Sequence, residues 1–253
     1  IGDLLCLEVR KTRLDENLSV DLSSVESLLD KKTVALVGIA GTTEFGQVDP
    51  IPELASIAEE RGIHLHVDAA FGGFVLPFLE KKIAWDFSVP GVSSITIDPH
   101  KMGLSTIPAG GLLFRRRECL SALETDTYYL TRPKQASLTG TRSGAAAAAT
   151  YAVMMHLGLD GFKEMVDYCM GLTRHLLAGA RKIGVLPVID PIMNVAALRV
   201  PDPSNAREKL MERDWHVSMT REPNQALRLI LMRHMSLENI DLFLGDLQEI
   251  IAP

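Results

Sequence analysis

Two short strings constrain the fold of this chain more than any other feature. Residues 65–73 read LHVDAAFGG, and residues 93–103 read SSITIDPHKMG. Each is an apolar, β-branched run that ends abruptly in polar and small residues, which is typical of a buried strand in a parallel sheet. Open α/β sheets bind their ligands at the carboxyl ends of such strands. The sequence therefore predicts an α/β fold with a ligand site where these two strands end.

The side chains at the two strand ends are an acid and an amine. Asp68 follows the first run and Lys101 the second, with Asp98 and His100 just before the lysine. A pyridoxal phosphate enzyme needs an acid that keeps the pyridine nitrogen protonated and a lysine that holds the aldehyde as an imine. Asp68 alone is equally consistent with a cap of the next helix, and a single lysine with a surface loop. Together the two residues favour a pyridoxal phosphate site.

Small and hydroxyl side chains near these strand ends are consistent with such a site. Ala70, followed by glycines at 72–73, leaves space for a flat ring. Thr43, in the string AGTTEFGQVDP at 40–50, is placed near the ring, although local hydrogen bonds to the backbone are the alternative. His100 is a candidate for contact with the phosphate or a substrate carboxylate, or else caps a turn.

Composition excludes several other classes of protein. The 253 residues are 47% hydrophobic and 23% charged, as in ordinary globular proteins, and the net charge of −6 argues against nucleic acid or an anionic membrane as the partner. The cysteines at 6, 119 and 169 show no CxxC spacing, which fits a reducing cytoplasm better than disulfides or a zinc site. The longest uncharged stretch, 143–159, is too weakly apolar to span a bilayer.

Strands and helices alternate in the first part of the chain. Asp49 as N-cap and Pro50 at the first helical position predict a helix through Glu60. The predicted strands occupy residues 32–41, 63–67, 93–97 and 111–114. Short links between them favour a mostly parallel sheet.

After residue 139 the pattern changes to long helices and short strands. Predicted helices occupy 143–156, 160–183 and 204–212, a strand 227–232, and a closing helix begins at Ser236. We therefore predict two domains: residues 1–157 belong to a large α/β domain, and residues 158–253 form a small α+β domain.

The strings AGTTEFGQVDP, LHVDAAFGG and DPHK, in this order and spacing, resemble the group II pyridoxal-dependent amino acid decarboxylases. The similarity is greatest to the archaeal branch of L-tyrosine and L-aspartate decarboxylases and extends to TGTRSG at 139–144. This resemblance implies a fold-type I transferase-like architecture, pyridoxal 5'-phosphate as cofactor and a homodimer with shared active sites. It also implies that the ring-stacking and phosphate-cup residues lie upstream of Ile1, so the chain looks like an N-terminally truncated member.

The resemblance also implies a role for each matching residue. Lys101 is the imine lysine, Asp68 the partner of the ring nitrogen and Ala70 the small residue against the ring. Thr43 lies beside the ring, and His100 near the phosphate or the reacting carboxylate. The remaining implied contacts are Asp98, where many relatives have an asparagine on the phosphate; Arg142, which holds the neighbouring subunit or its phosphate unless it is simply paired at a helix start; and Tyr129, which reprotonates the carbanion, with Tyr128 as the second candidate.

The expected reaction is the loss of CO2 from an L-amino acid, giving tyramine from L-tyrosine or β-alanine from L-aspartate. In the archaeal branch these products are linked to methanofuran and coenzyme A synthesis. An aspartate pocket needs a cation, and a tyrosine pocket needs apolar walls; we favour tyrosine slightly. The candidates for these groups are Arg142, Arg221 and Arg233 against Phe45, Phe71 and Met102.

The sequence is also consistent with two other kinds of protein. The chain could be another fold-type I enzyme: a sphingosine-phosphate-lyase-like carbon–carbon lyase, an aminotransferase with Arg228 on the α-carboxylate, or a desulfurase using Cys119. It could instead be a non-catalytic fragment that lacks the upstream part of the cofactor site. Release of CO2 and the absorbance of the imine separate these readings.

Overall fold

The computed structural model of the chain describes residues 2–129, 131, 133–137 and 139–252. Its α-helices are α1 (Leu22–Leu28), α2 (Ile51–Arg61), α3 (Arg117–Ser121), α4 (Gly144–Lys182), α5 (Pro203–Met211) and α6 (Leu237–Ile251). Its longer strands are β1 (Ala35–Ile39), β2 (His64–Asp68), β3 (Val92–Ile97), β4 (Gly111–Phe114), β8 (Val195–Arg199) and β10 (Leu227–Ile230). Two-residue strands are β5 (Thr125–Asp126), β6 (Lys134–Gln135), β7 (Leu186–Pro187) and β9 (Ser218–Met219). Among the described residues, no helix is both long and apolar enough to cross a bilayer.

The first sheet has the strand order β1-β2-β3-β4 and confirms the mostly parallel prediction. β1, β2 and β3 are parallel, and β4 is antiparallel to β3. Asp68 lies in register with Ile39 on one side and Thr96 on the other. Because the three parallel strands end at one edge, the residues that follow them share that edge.

Helix α2 packs closely against this sheet at Gly38 of β1. A Cβ atom on Gly38 would lie 2.6 Å from Ile51 Cδ1 and 2.9 Å from Leu54 Cδ1, so a larger residue here would force these two side-chain ends to move. The helix ends as predicted, with Gly62 in the left-handed conformation at φ 64°.

The predicted start of α2 was wrong in one respect. Asp49 does not cap the helix: Pro50 occupies the N-cap and makes no side-chain hydrogen bond there. The buried Asp49 side chain instead accepts hydrogen bonds from Ile39 N–H (2.7 Å) and Val20 N–H (3.0 Å). Burial raises the pKa of this carboxyl, although the two backbone hydrogen bonds oppose the rise. Asp49 therefore ties the loop after β1 to the end of that strand.

Helix α4 serves two hydrophobic cores. It is broken at Gly158, whose backbone angles (φ 57°, ψ −166°) are not helical. Beyond the break, Phe162 and Cys169 pack in the core of the first sheet, whereas Leu172 and Leu176 pack in the second core. The break coincides with the predicted boundary at 157/158, but the division into two domains stays a prediction.

The second sheet is antiparallel, with strand order β7-β8-β10-β9. Helices α4 and α6 cover this sheet, and the second core lies between these helices and the sheet. Helix α6 begins where the sequence predicts, because Ser236 and Asn239 form a capping box.

Candidate active site

Asp68 ends β2 with one carboxylate oxygen engaged and the other available. Its Oδ1 accepts a hydrogen bond from Ala70 N–H at 3.0 Å, and this bond closes a local turn. In the part of the chain that the structure describes, Oδ2 accepts no hydrogen bond from protein. The half-buried side chain therefore serves the local turn with one oxygen and leaves the other free for a donor such as a protonated ring nitrogen.

A histidine two residues before Asp68 shares the same face of the sheet. His66 Nδ1 lies 2.8 Å from Ser94 Oγ, and His66 Nε2 lies 3.1 Å from Thr96 Oγ1. Burial lowers the pKa of His66, although the nearby Asp68 charge opposes the change. The sequence analysis missed this network, which the alternation of β2 (His66 and Asp68 on one face) would have indicated.

Lys101, His100 and Asp98 lie together in the turn after β3. Lys101 Nζ is 2.9 Å from Asp98 Oδ2, and His100 Nε2 is 3.9 Å from the same oxygen. His100 Nδ1 makes a short contact with the backbone oxygen of Ala109. The Asp98 N–H donates to Ala70 O at 3.3 Å, so the turn that carries Lys101 is bonded directly to the loop that follows Asp68.

The glycines at 72–73 have a packing role. A Cβ on Gly72 would overlap Ala40 O at 2.0 Å, and one on Gly73 would lie 2.6 Å from Ile97 Cγ2. The space beside these glycines is thus filled by the ends of β1 and β3 and is not free for a ring. Ala70 remains the half-buried small side chain at this edge.

Arg228 connects the second sheet to the same edge. Its Nη1 donates to the backbone oxygen of the exposed Thr43 at 2.7 Å. Among the described residues, the buried Arg228 Nε has no hydrogen-bond partner. The outer guanidinium nitrogens, beside the exposed Thr43, are suited to bind a carboxylate.

The comparisons with known proteins decide the family. Residues 1–190 match the family model described as the pyridoxal-dependent decarboxylase conserved domain. This chain belongs to that family. It is 67% identical over 251 residues to the probable L-tyrosine/L-aspartate decarboxylase of Methanothrix thermoacetophila, and 49% identical over 251 residues to the probable L-aspartate decarboxylase of Archaeoglobus fulgidus. These alignments cover 99% of this chain but 65% and 68% of the respective relatives.

Solved structures confirm the predicted fold class. The sphingosine-1-phosphate lyase of Burkholderia pseudomallei aligns with a TM-score of 0.89 at 27% identity, covering 99% of this chain and 59% of the lyase. The glutamate decarboxylase of Lactobacillus brevis aligns with a TM-score of 0.87 at 23% identity, covering 99% and 62%. The chain therefore has the fold-type I architecture and spans about two thirds of the length of its relatives.

The residues of this family member fit pyridoxal phosphate at the strand ends. Asp68 keeps a free carboxylate oxygen, and the Lys101 side chain is 41% exposed. The hydrogen bond from Asp98 to Ala70 holds the two strand ends adjacent. An acid and an accessible amine at one sheet edge are the donor set that this cofactor requires.

The described residues make no contact that brings Arg142 or Tyr129 to this edge. Both are exposed, Tyr129 to 84%. Within the described residues, neither side chain makes a hydrogen bond or an ion pair. Their roles as interface and proton-donor residues of the decarboxylase family stay predictions, as does that of Thr43 beside the ring.

The structure does not support the desulfurase alternative at Cys119 or at Arg115, which lies four residues before it. Cys119 lies within α3 and not in an extended loop. Arg115 turns to backbone oxygens, with its Nε 2.7 Å from Val92 O and its Nη2 2.9 Å from Phe87 O. A cluster of three or more metal-binding side chains does not occur in the described ranges.

Proposed function

We propose that this chain carries the lysine and the ring-nitrogen acid of a pyridoxal phosphate-dependent L-amino acid decarboxylase. The supporting observation is the juxtaposition of Asp68 and Lys101: neighbouring strands in register deliver them, and the Ala70–Asp98 hydrogen bond joins their loops. Family membership and the names of the archaeal relatives support the same reaction.

Each residue at the edge has a task in this reaction. Pyridoxal phosphate, when bound, supplies the electron sink for the carbon–carbon bond that breaks. Asp68 would hold the proton on its ring nitrogen through Oδ2. Lys101 would hold its aldehyde covalently and yield that position to the substrate amine. Arg228 would orient a substrate carboxylate through its outer guanidinium nitrogens beside Thr43, which fixes the breaking bond relative to the ring.

The proposed substrate is L-tyrosine, with L-aspartate as the second candidate. The relatives are named for both amino acids. An aspartate side chain needs a cation beyond the one that binds the α-carboxylate, yet Arg221 lies 91% exposed, with its Nε 3.4 Å from Glu44 Oε1. The corresponding physiological proposals are that the protein acts in the cytoplasm and supplies either tyramine for methanofuran synthesis or β-alanine for coenzyme A synthesis.

A homodimer is the proposed assembly. The first half of α4 exposes the large side chains Tyr151, Met155 and Leu159, and Arg142 precedes it without a partner among the described residues. Apolar surface of this kind is typical of a subunit interface. Sedimentation equilibrium of the purified chain tests the assembly.

Two assays test the function. Pyridoxal phosphate added to the chain should give the visible absorbance of an imine, which Lys101→Ala should abolish; an unchanged spectrum in the variant contradicts the assignment. Release of 14CO2 from carboxyl-labelled tyrosine and aspartate, measured with a protein of the relatives' length, identifies the substrate.

A carbon–carbon lyase is the second candidate, because the sphingosine-1-phosphate lyase shares 27% identity over nearly the whole chain. Formation of an aldehyde from a phosphorylated amino alcohol, without CO2, would favour it. Absence of the imine absorbance both in this chain and in a protein of the relatives' length would instead favour a non-catalytic fragment.

A further inference from the structure

The carboxylate that follows β3 faces the reactive amine. Asp98 is largely buried, with a side chain 18% exposed, and its Oδ2 lies 2.9 Å from Lys101 Nζ. His100 Nε2 is the next charged or titratable neighbour, at 3.9 Å. Within the described ranges, no other ion pair shorter than 4.0 Å involves these three side chains. The charge of Lys101 is thus matched by one acid.

The backbone fixes the position of this acid. The Asp98 N–H donates to Ala70 O, and the Asp98 carbonyl oxygen accepts from Lys101 N–H at 3.0 Å. A Cβ atom on Gly110 would lie 3.3 Å from Asp98 Oδ1, so the glycine leaves the room that the carboxylate occupies. The ion pair therefore forms between two residues whose backbones are held in one tight turn.

A carboxylate in this position has two consequences for the chemistry of the edge. An amine attacks a carbonyl carbon through its free electron pair, and a partly buried carboxylate at 2.9 Å engages the Lys101 amine in an ion pair. The same negative charge repels a phosphate group, whereas an uncharged amide would donate a hydrogen bond to it. Contact with Lys101 and contact with a phosphate are therefore competing roles for residue 98.

We propose that Asp98 is the counter-ion of Lys101 and not a phosphate ligand. It holds the Lys101 amine in an ion pair whenever Lys101 is not bonded to an aldehyde. Asp98 is thus a positioning residue that sets how readily this amine reacts. The inference rests on the proposed function only in taking Lys101 as the residue that binds the aldehyde.

Chemical labelling of the chain without cofactor tests this directly. Reductive methylation with formaldehyde and cyanoborohydride modifies free amines, and peptide mass spectrometry gives the rate at each lysine from about pH 7 to about pH 9. In Asp98→Asn, Lys101 should be methylated about three- to fivefold faster than in the unmodified sequence at the same pH. Rates that agree within about twofold across this range, with an unchanged circular dichroism spectrum, would overturn the proposal.

A second ion pair provides the matched control. Lys163 and Asp167 approach to 2.7 Å on the exposed surface of α4. Asp167→Asn should leave the rate at Lys101 unchanged, because it removes a distant acid of the same type. Asp98→Ser provides the test should the asparagine variant not fold. The serine variant must also accelerate Lys101, and no acceleration there counts against the proposal.

The labelling result is independent of the decarboxylase proposal. If Lys101 reacts faster in Asp98→Asn but no CO2 is released from any amino acid, the counter-ion role stands and the function fails. If CO2 is released but the labelling rates are equal, the function stands and the counter-ion role is wrong.

Discussion

The edge of the first sheet and the segment from Thr125 to Gly144 both carry residues expected to act on the cofactor, but only the edge holds them in place. At the edge, Asp68 and Lys101 follow paired strands, and each has a hydrogen bond or ion pair of 3.0 Å or less. In the segment, Tyr129 and Arg142 are exposed without such contacts in the described part of the chain. The difference teaches that this chain preorganises the covalent and electronic part of the site, whereas Tyr129 and Arg142 receive no such support from the residues that the structure describes.

Replacing the acid of the edge is the most severe way to test this comparison. Asp68→Asn keeps the turn to Ala70 but cannot stabilise a protonated ring nitrogen, so kcat/KM for decarboxylation should fall by about 10³-fold. Steady-state CO2 release from a protein of the relatives' length measures it. Asp86→Asn is the matched control, because Asp86 makes the same kind of turn with Ser88 N–H (2.8 Å) away from the edge. Equal activities of the two variants would show that Asp68 only caps its turn.

The first sheet and the loops tied to it form the frame that supports the edge. Substitutions in this frame should have nearly as large an effect, but on stability and not on activity. Asp49→Ala removes a buried acceptor and leaves the N–H groups of Ile39 and Val20 without their partly buried hydrogen bonds, which should lower the free energy of unfolding by about 2–4 kcal/mol. Urea unfolding followed by circular dichroism measures it. Asp21→Ala removes an ordinary helix N-cap and should cost about 1 kcal/mol. Similar losses in the two variants would contradict the strand-tying role of Asp49.

The sequence predicted the strands of the frame well because each is a short apolar run between polar or glycine residues. The predicted and observed bounds of β4 coincide at 111–114. The antiparallel direction of β4 could not be predicted, because an apolar run does not indicate which strand it pairs with or in which direction. The misplacement of Asp49 has a related cause: the string D-P followed by Glu53 satisfies the pattern of a helix start, but the acid has a better partner in the N–H groups of β1 and Val20.

The candidate site was predictable in its residue types and not in its contacts. Asp68 and Lys101 follow from strand ends, which the pattern locates. The ion pair of Asp98 with Lys101 depends on the turn after β3, and the link from Arg228 to Thr43 joins residues of different sheets. The second of these joins residues 185 positions apart and leaves no local signal in a single sequence, whereas the first is local but needs the exact geometry of the turn.

Arg228 sharpens the comparison by connecting the second sheet to the edge. Arg228→Met removes the donor that we assign to a substrate carboxylate, so KM should rise about 10- to 50-fold with a smaller change in kcat. Arg199→Met, on the neighbouring strand β8, removes an exposed guanidinium and should leave KM unchanged. A rise in KM for both variants, or for neither, would contradict the assignment.

The smallest expected effect concerns the pH dependence of stability at the edge. Because burial lowers the pKa of His66 below its usual 6.5, the unfolded chain binds a proton more readily than the folded chain. The contribution of His66 to stability is therefore fully present above about pH 6.5 and is lost as the pH falls from there through the lower pKa of the folded state.

His66→Gln should flatten the acid side of a plot of unfolding free energy against pH, which urea titrations at successive pH values measure. His64→Gln, at an exposed position of the same strand, should retain the slope. If the slope survives in His66→Gln, the proton is taken up elsewhere, and the network of His66 with Ser94 and Thr96 does not hold this histidine neutral. The edge would then be less rigidly preorganised in charge than its hydrogen bonds indicate.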